Sequence, residues 1–219
     1  MRPATTVLWR TASGCAAAAL VLTVLLVAQW PPLLRFDRWL AAALHRHAVA
    51  HPAVTRLNRV LSDWVWDPWT MRTLAALAAG WLLWRGDRRR ALCVAVATVV
   101  ASAVQHGLKV LLGRERPTWP DPVDSAWFAA FPSGHAMTAA VVCGLLLWVV
   151  GRPGRTGWAV AAVSVLGVGW TRLYLGVHWF SDVLGGWLLG VALAAGTIAW
   201  CTRTRPEPPH SPGTAHRGS

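Results

Sequence analysis

The sequence predicts an all-α polytopic membrane protein: six transmembrane helices, with one or two interfacial helices between the first and the second. Three observations predict it. The 219 residues are 55% hydrophobic and only 14% charged, with a mean hydropathy of +0.41, whereas soluble domains carry about a quarter charged residues. The apolar residues gather into runs near the roughly 20 residues that a spanning helix needs. Many of the 16 tryptophans fall at run ends, among them Trp30, Trp66, Trp84, Trp148, Trp170 and Trp200, as in the aromatic belts of membrane interfaces.

Met1 to Thr11 reads as a short polar lead. Ala12 to Trp30 forms the first span. It is longer than the apolar core of a signal peptide and lacks a small-x-small site before Pro31, so it is expected to be retained. Between Pro31 and Asp63, Phe36, Trp39, Leu40 and Leu44, then Leu57, Val60, Leu61 and Trp64, recur at helical spacing. That pattern fits amphipathic helices lying in the interface and equally fits helices packed on the bundle. Trp66 to Trp84 forms the second span and ends at the Arg85–Arg90 basic run. Ala91 to Leu112 forms the third, and His135 to Val150 the fourth, followed by Arg152 and Arg155. Gly157 to Tyr174 forms the fifth, and Phe180 to Trp200 the sixth. Residues 1–200 are thus expected to be one membrane domain, and residues 201–219, rich in Pro and Arg, a disordered cytoplasmic tail.

The net charge of +12 would suit nucleic acid if it were clustered, but the basic residues punctuate the gaps between apolar runs, as topology-setting arginines do. Nucleic acid is therefore excluded as a partner. The four cysteines, Cys15, Cys93, Cys143 and Cys201, have no paired spacing, which argues against a zinc site or a disulfide framework. Placing Arg85–Arg90, Arg152 and Arg155 inside puts both termini in the cytoplasm. Three polar stretches then meet at the extracytoplasmic rim, which is what a site requires.

The first stretch runs from Lys109, the only lysine among 21 basic residues, to Arg116 and Pro117. Gly113 suits a helix end, and Pro117 forces Arg116 into an extended conformation. Alone, it also fits a snorkelling lysine and a basic loop. The second is Phe131-Pro-Ser133-Gly134-His135. A Ser-Gly turn opening a helix offers backbone N–H groups and a positive dipole end to an anion. His135 stands where it can donate a proton to a leaving oxygen, although an N-cap serine and an interfacial histidine would look the same. The third contains Arg172, His178 and Asp182. Four residues apart on a helix, His178 and Asp182 share a face, so the carboxylate can hold Nδ1 and leave Nε2 bare as a nucleophile. Arg172 would add a guanidinium fork suited to phosphate. A membrane-edge ion pair beside a snorkelling histidine is the alternative.

In order and spacing the three stretches resemble the type 2 phosphatidic acid phosphatase superfamily, the lipid phosphate phosphatases related to vanadium haloperoxidases. The family pattern is Lys-x6-Arg-Pro, Pro-Ser-Gly-His and Ser-Arg-x5-His-x3-Asp. The likeness departs at Thr171, where the family usually has Ser, so a hydroxyl is kept. The resemblance implies that His178 attacks phosphorus, that Asp182 orients it, and that His135 protonates the leaving group. It implies that Lys109, Arg116, Ser133, Gly134 and Arg172 bind the phosphoryl oxygens. It implies no cofactor and no metal, and the acidic residues Glu115, Asp121 and Asp124 are scattered rather than gathered as ligands.

The expected function is hydrolysis of a phosphate monoester or diphosphate on a lipid of the undecaprenyl diphosphate, phosphatidic acid or phosphatidylglycerol phosphate type. A lipid phosphotransferase with the same phosphoenzyme, and a non-catalytic lipid-binding or transport protein, are the alternatives. The partners are a lipid phosphate and the membrane.

Overall fold

The computed structural model describes residues 3–203, and all regular secondary structure among them is helical. Helix α1 spans Pro3–Val27, α2 Pro31–Ala50 and α3 Pro52–Val60. A π-helical turn over Leu61–Val65 leads to α4, Pro68–Trp84. Then follow α5, Arg88–Leu112, α6, Gly134–Val150, α7, Arg155–Tyr174, and α8, Phe180–Arg203. Local chemistry sets most ends. Proline occupies the first turn of α2, α3 and α4, where its missing N–H costs nothing. Asp67 caps α4 by accepting from the amides of Trp69 at 2.6 Å and Thr70 at 3.3 Å. Asp87 caps α5 through the amide of Arg90 at 3.1 Å. Gly113, at φ 53°, closes α5 in a left-handed cap, a conformation open to glycine without strain.

Three helices are long and apolar enough to cross a membrane on their own: Ala4–Val27, Arg88–Leu112 and Phe180–Arg203. Gly134–Val150 is apolar but shorter. The expectation of a membrane bundle therefore holds at the level of these three helices, while α4 and α6 fall short in length and α7 in apolarity. Helix α6 lies at the core of the bundle, with most of its residues from Gly134 to Leu145 buried.

Two expectations need correction. The polar lead is not separate from the first span, because α1 is continuous from Pro3; Thr5 and Ala12 both face inward. Residues 201–203, expected to open a disordered tail, instead continue α8 through Arg203; residues 204–219 lie outside the described residues.

The segment between α1 and α4 folds into α2 and α3, whose apolar stripes are split: Leu40, Leu44 and Leu61 are half-buried, with Leu44 against the core. Phe36, Trp39, Leu57, Val60 and Trp64 are exposed, while Asp37, Ala41, His45, Ala48, Thr55, Asn58 and Ser62 are buried.

Helix α8 organises the rest, packing most extensively against α1 and α6. Glycines make the α6 contact close. A Cβ at Gly186 would lie 2.7 Å from the Ser133 carbonyl oxygen, and one at Gly190 2.7 Å from that of Met137. Close backbone approach through small residues is how membrane helices gain packing energy.

Candidate active site

His178 lies on the short link between α7 and α8. The link turns at Gly176, φ 67°, and Trp119 closes over it: the indole Nε1 donates to the Gly176 carbonyl at 2.9 Å. A side chain at Gly176 would meet that indole nitrogen at 2.7 Å. The chain then enters α8 with Asp182 in its first turn, accepting from the amide of Trp179 at 2.8 Å. This delivers the carboxylate to His178, whose Nδ1 stands 3.3 Å from Asp182 Oδ2. Both side chains are buried.

The other ring nitrogen faces Arg116, whose Nη1 lies 3.1 Å from His178 Nε2. A guanidinium only donates, so Nε2 must accept, and the proton belongs on Nδ1, facing Asp182. Burial, reinforced by the charges of Arg116, Arg172 and Lys109, holds the imidazole well below its usual protonation range. The result is a neutral imidazole whose Nε2 carries no proton and accepts from Arg116.

Three cations surround it. Lys109, in the last turn of α5, is buried and donates to the Ala129 carbonyl. Arg116 donates to the carbonyls of Val177 at 2.6 Å and Phe128 at 2.8 Å. Burial and the neighbouring Arg172 bring its ionisation down to about 10, which still leaves it cationic at neutral pH. Arg172, in the last turn of α7, is 4% exposed. Its Nη1 donates to Ser62 Oγ at 2.7 Å and lies 3.7 Å from Asp124.

Ser133 opens α6, and its amide donates to the Asp182 carbonyl at 2.9 Å. That bond ties the start of α6 to the start of α8. The Ser133 hydroxyl and Arg172 Nε are both buried without a hydrogen-bond partner among the described residues. Such groups are costly, and an acceptor-rich ligand would satisfy these two. Gly134 packs under the Gln105 side chain of α5, whose amide a Cβ there would have to displace. His135, in the first turn of α6, lies within electrostatic reach of Arg172, His178, Arg116 and Lys109. The eight expected site residues therefore converge, drawn from α5, α6, α7, α8 and two connecting segments.

Thr171, the departure from the family pattern, turns away from this cluster. Its hydroxyl donates to the Val168 carbonyl at 2.9 Å within its own helix.

The sequence reasoning missed four contributors. Arg114 donates to Asp182 and, at 2.8 Å, to both Asp37 and Ser181 Oγ. Asp37 reaches it from α2. Ser62 and Asp124 hold Arg172. Arg114 lies between Gly113 and Glu115, at one of the six unspecified positions between Lys109 and Arg116, so the motif itself gives it no role. Asp37, Ser62 and Asp124 carry no spacing signal, because only the fold brings them near. A cavity of about 640 Å³ opens on the far side of this group, lined by Leu26, Leu34, Asp37, Leu112, Arg114 and Trp179 among others. None of the eight expected site residues lines it.

Residues 90–206 match the model of the PAP2 superfamily. Over 143 residues the chain is 27% identical to an undecaprenyl-diphosphatase from Sulfolobus acidocaldarius, covering 61% of this chain and 62% of that protein. It is 37% identical over 93 residues to phosphatidylglycerophosphatase B from Bacillus subtilis, covering 39% and 45%. It is 34% identical over 116 residues to a decaprenylphosphoryl-5-phosphoribose phosphatase from Mycolicibacterium smegmatis, covering 52% and 61%. The matches thus span 45% to 62% of these relatives' lengths. The fold resembles the crystal structure of a transmembrane PAP2-type phosphatidylglycerolphosphate phosphatase from Bacillus subtilis, with a TM-score of 0.79 at 20% identity over 90% of this chain and 99% of that one. With more than half of its length matched by the family model, the chain belongs to the PAP2 superfamily.

Proposed function

We propose that this protein is a membrane-embedded phosphatase that hydrolyses a lipid phosphate monoester or diphosphate through a phosphohistidine. The observation that carries this reading is His178, buried between Asp182 on Nδ1 and Arg116 on Nε2, with Lys109 and Arg172 close by. The substrate class follows from the named activities of the relatives, whose shared chemistry is a phosphate on a lipid.

In the first step the Nε2 lone pair attacks phosphorus, and the bond to the leaving oxygen breaks. His135, as the imidazolium in the substrate-bound state, gives that oxygen a proton and becomes neutral. The Nδ1 proton stays on the imidazole, and Asp182 balances the positive charge that develops there. In the second step neutral His135 takes a proton from water, the hydroxide oxygen bonds to phosphorus, and the P–N electron pair returns to Nε2. Lys109, Arg116 and Arg172, with the Ser133 hydroxyl and the Gly134 amide, stabilise the charge on the equatorial oxygens, the main catalytic resource of phosphoryl transfer.

The membrane arrangement belongs to the same proposal. Helices α1, α4, α5, α6, α7 and α8 make six spans, and α2 and α3 lie in the interface with their exposed apolar residues toward lipid. Arg85–Arg90, Arg152 and Arg155 then stand on the cytoplasmic side with both termini. Arg90 supports this by closing the end of α6, donating to the carbonyls of Trp148 at 2.8 Å and Val149 at 3.0 Å. The catalytic rim faces away from the cytoplasm.

Purified protein should release phosphate from lipid phosphates in detergent with EDTA present, be inhibited by vanadate, and form an acid-labile phosphoenzyme. His178→Ala should do none of these. Normal turnover by His178→Ala, or a strict requirement for magnesium, would overturn the reading.

A further inference from the structure

We propose that Asp37 and Arg114 are positioning residues for the catalytic pair, extending it into a buried chain Asp37–Arg114–Asp182–His178. This rests on the phosphohistidine reading and deepens it.

The geometry is continuous. Arg114 Nη2 donates to Asp37 Oδ2 at 2.8 Å, while Nη1 donates to Asp182 Oδ1. Asp182 then offers Oδ2 to His178 Nδ1 at 3.3 Å. Side-chain exposure is 1% for Asp37, 16% for Arg114 and 0% for Asp182. The guanidinium lies over the Trp179 ring, 5.9 Å from its centroid. Asp37 is fixed from the other side by Ser181, whose amide donates to Oδ1 at 3.0 Å and whose hydroxyl donates to Oδ2. Asp37 comes from α2, outside the family-matched residues 90–206.

Two consequences follow for His178. The first is orientation. Arg114 holds one oxygen of Asp182 and the Trp179 amide holds the other, so the carboxylate cannot turn away from Nδ1. The second is charge. Arg114 alone would cancel the charge of Asp182 just where the imidazole must carry positive charge during attack. Asp37 takes up part of the guanidinium, so the two carboxylates and one cation keep a net charge of −1 beside the ring. In a buried setting that residual charge acts with little screening. Both residues also line the 640 Å³ cavity, while Asp182, which does not, is fully buried.

The test uses the full-length protein in detergent, with active-site concentration measured from the phosphoenzyme burst so that any misfolded fraction drops out. Asp37→Asn removes the charge at constant size. It should slow phosphoenzyme formation roughly 10- to 100-fold, the range seen when an outer partner of a positioned side chain is lost. Vanadate affinity should stay within about threefold, because the phosphate-binding groups are untouched. Arg114→Lys, which keeps the charge but can serve only one carboxylate well, should fall between wild type and Arg114→Gln. The double variant with Asp37→Asn and Arg114→Gln should lose less than the product of the two single losses. A wild-type rate of phosphoenzyme formation in Asp37→Asn would overturn the proposal, as would equal loss of rate and vanadate binding. If the wild type itself forms no phosphoenzyme, the mechanism beneath the proposal fails instead.

Discussion

Gly186→Ala tests whether the α6–α8 contact sets catalytic geometry. The added methyl would stand 2.7 Å from the Ser133 carbonyl oxygen and 3.1 Å from the Met137 amide nitrogen. Both are backbone atoms, so no side chain can swing aside. Reaching an ordinary contact of 3.4 Å requires α6 to retreat by about 0.7 Å. The retreat happens where it matters, because the Ser133 amide is bonded to the Asp182 carbonyl at 2.9 Å, and Ser133, Gly134 and His135 travel with it. Overpacking of this kind costs roughly 1–3 kcal/mol, and displacing groups by about 1 Å can cost on the order of 100-fold in rate. Gly186→Ala should therefore lose about 10- to 100-fold in kcat/KM for a lipid phosphate while remaining folded. Gly80→Ala, with open space around the new methyl, is the control and should leave the rate unchanged. Phosphate release from mixed micelles, alongside thermal unfolding, measures both. A wild-type rate in folded Gly186→Ala would refute the idea that this contact positions the site.

Ser133→Ala removes a buried hydroxyl that has no partner among the described residues. Stability should hold or rise, while vanadate affinity should fall by roughly 10-fold or more, the worth of a hydrogen bond to a charged group; a drop in stability without loss of affinity would contradict the assigned role. His178 is held neutral by burial, so its folded-state protonation range lies below the unfolded one. The unfolded state then binds more protons under mildly acidic conditions, and stability must fall as pH drops. Against His178→Gln, the wild type should lose up to about 1.4 kcal/mol per pH unit below roughly pH 6.5; parallel pH–stability curves for the two proteins would show the imidazole is not held neutral. An alkaline phosphatase fused near Ser125 should be active and one fused after Arg205 inactive, and the opposite pattern would move the catalytic rim to the cytoplasmic face.

Much of this protein is legible in its sequence because the two strongest signals are local. An apolar run long enough to span a bilayer shows itself by length and composition. The limits of α5, α6, α7 and α8 fall within three residues of those expected, since Asp87, Gly113, Ser133 and Gly176 punctuate the chain where it must turn. His178 and Asp182 are also local: four residues apart, they meet whenever α8 begins where it does. The motif stretches are readable for the same reason, each carrying its own residues at fixed spacing.

What the sequence cannot carry is anything that depends on which surfaces meet. The apolar stripes of α2 and α3 are plain in the pattern, but which of their residues face outward is a property of the packed bundle. So is the inward face of α2, where Asp37 sits between Arg35 and Arg38 like a surface acid, yet is buried against Arg114 and Ser181. Arg172 was expected to reach phosphate; that it also rests on Ser62 and Asp124 required segments 110 and 48 residues away to fold over it. A single buried charge is unaffordable without partners, so the fold must supply them. Those partners come from wherever the chain happens to pass, which is a fact of tertiary structure and leaves no periodicity or spacing behind.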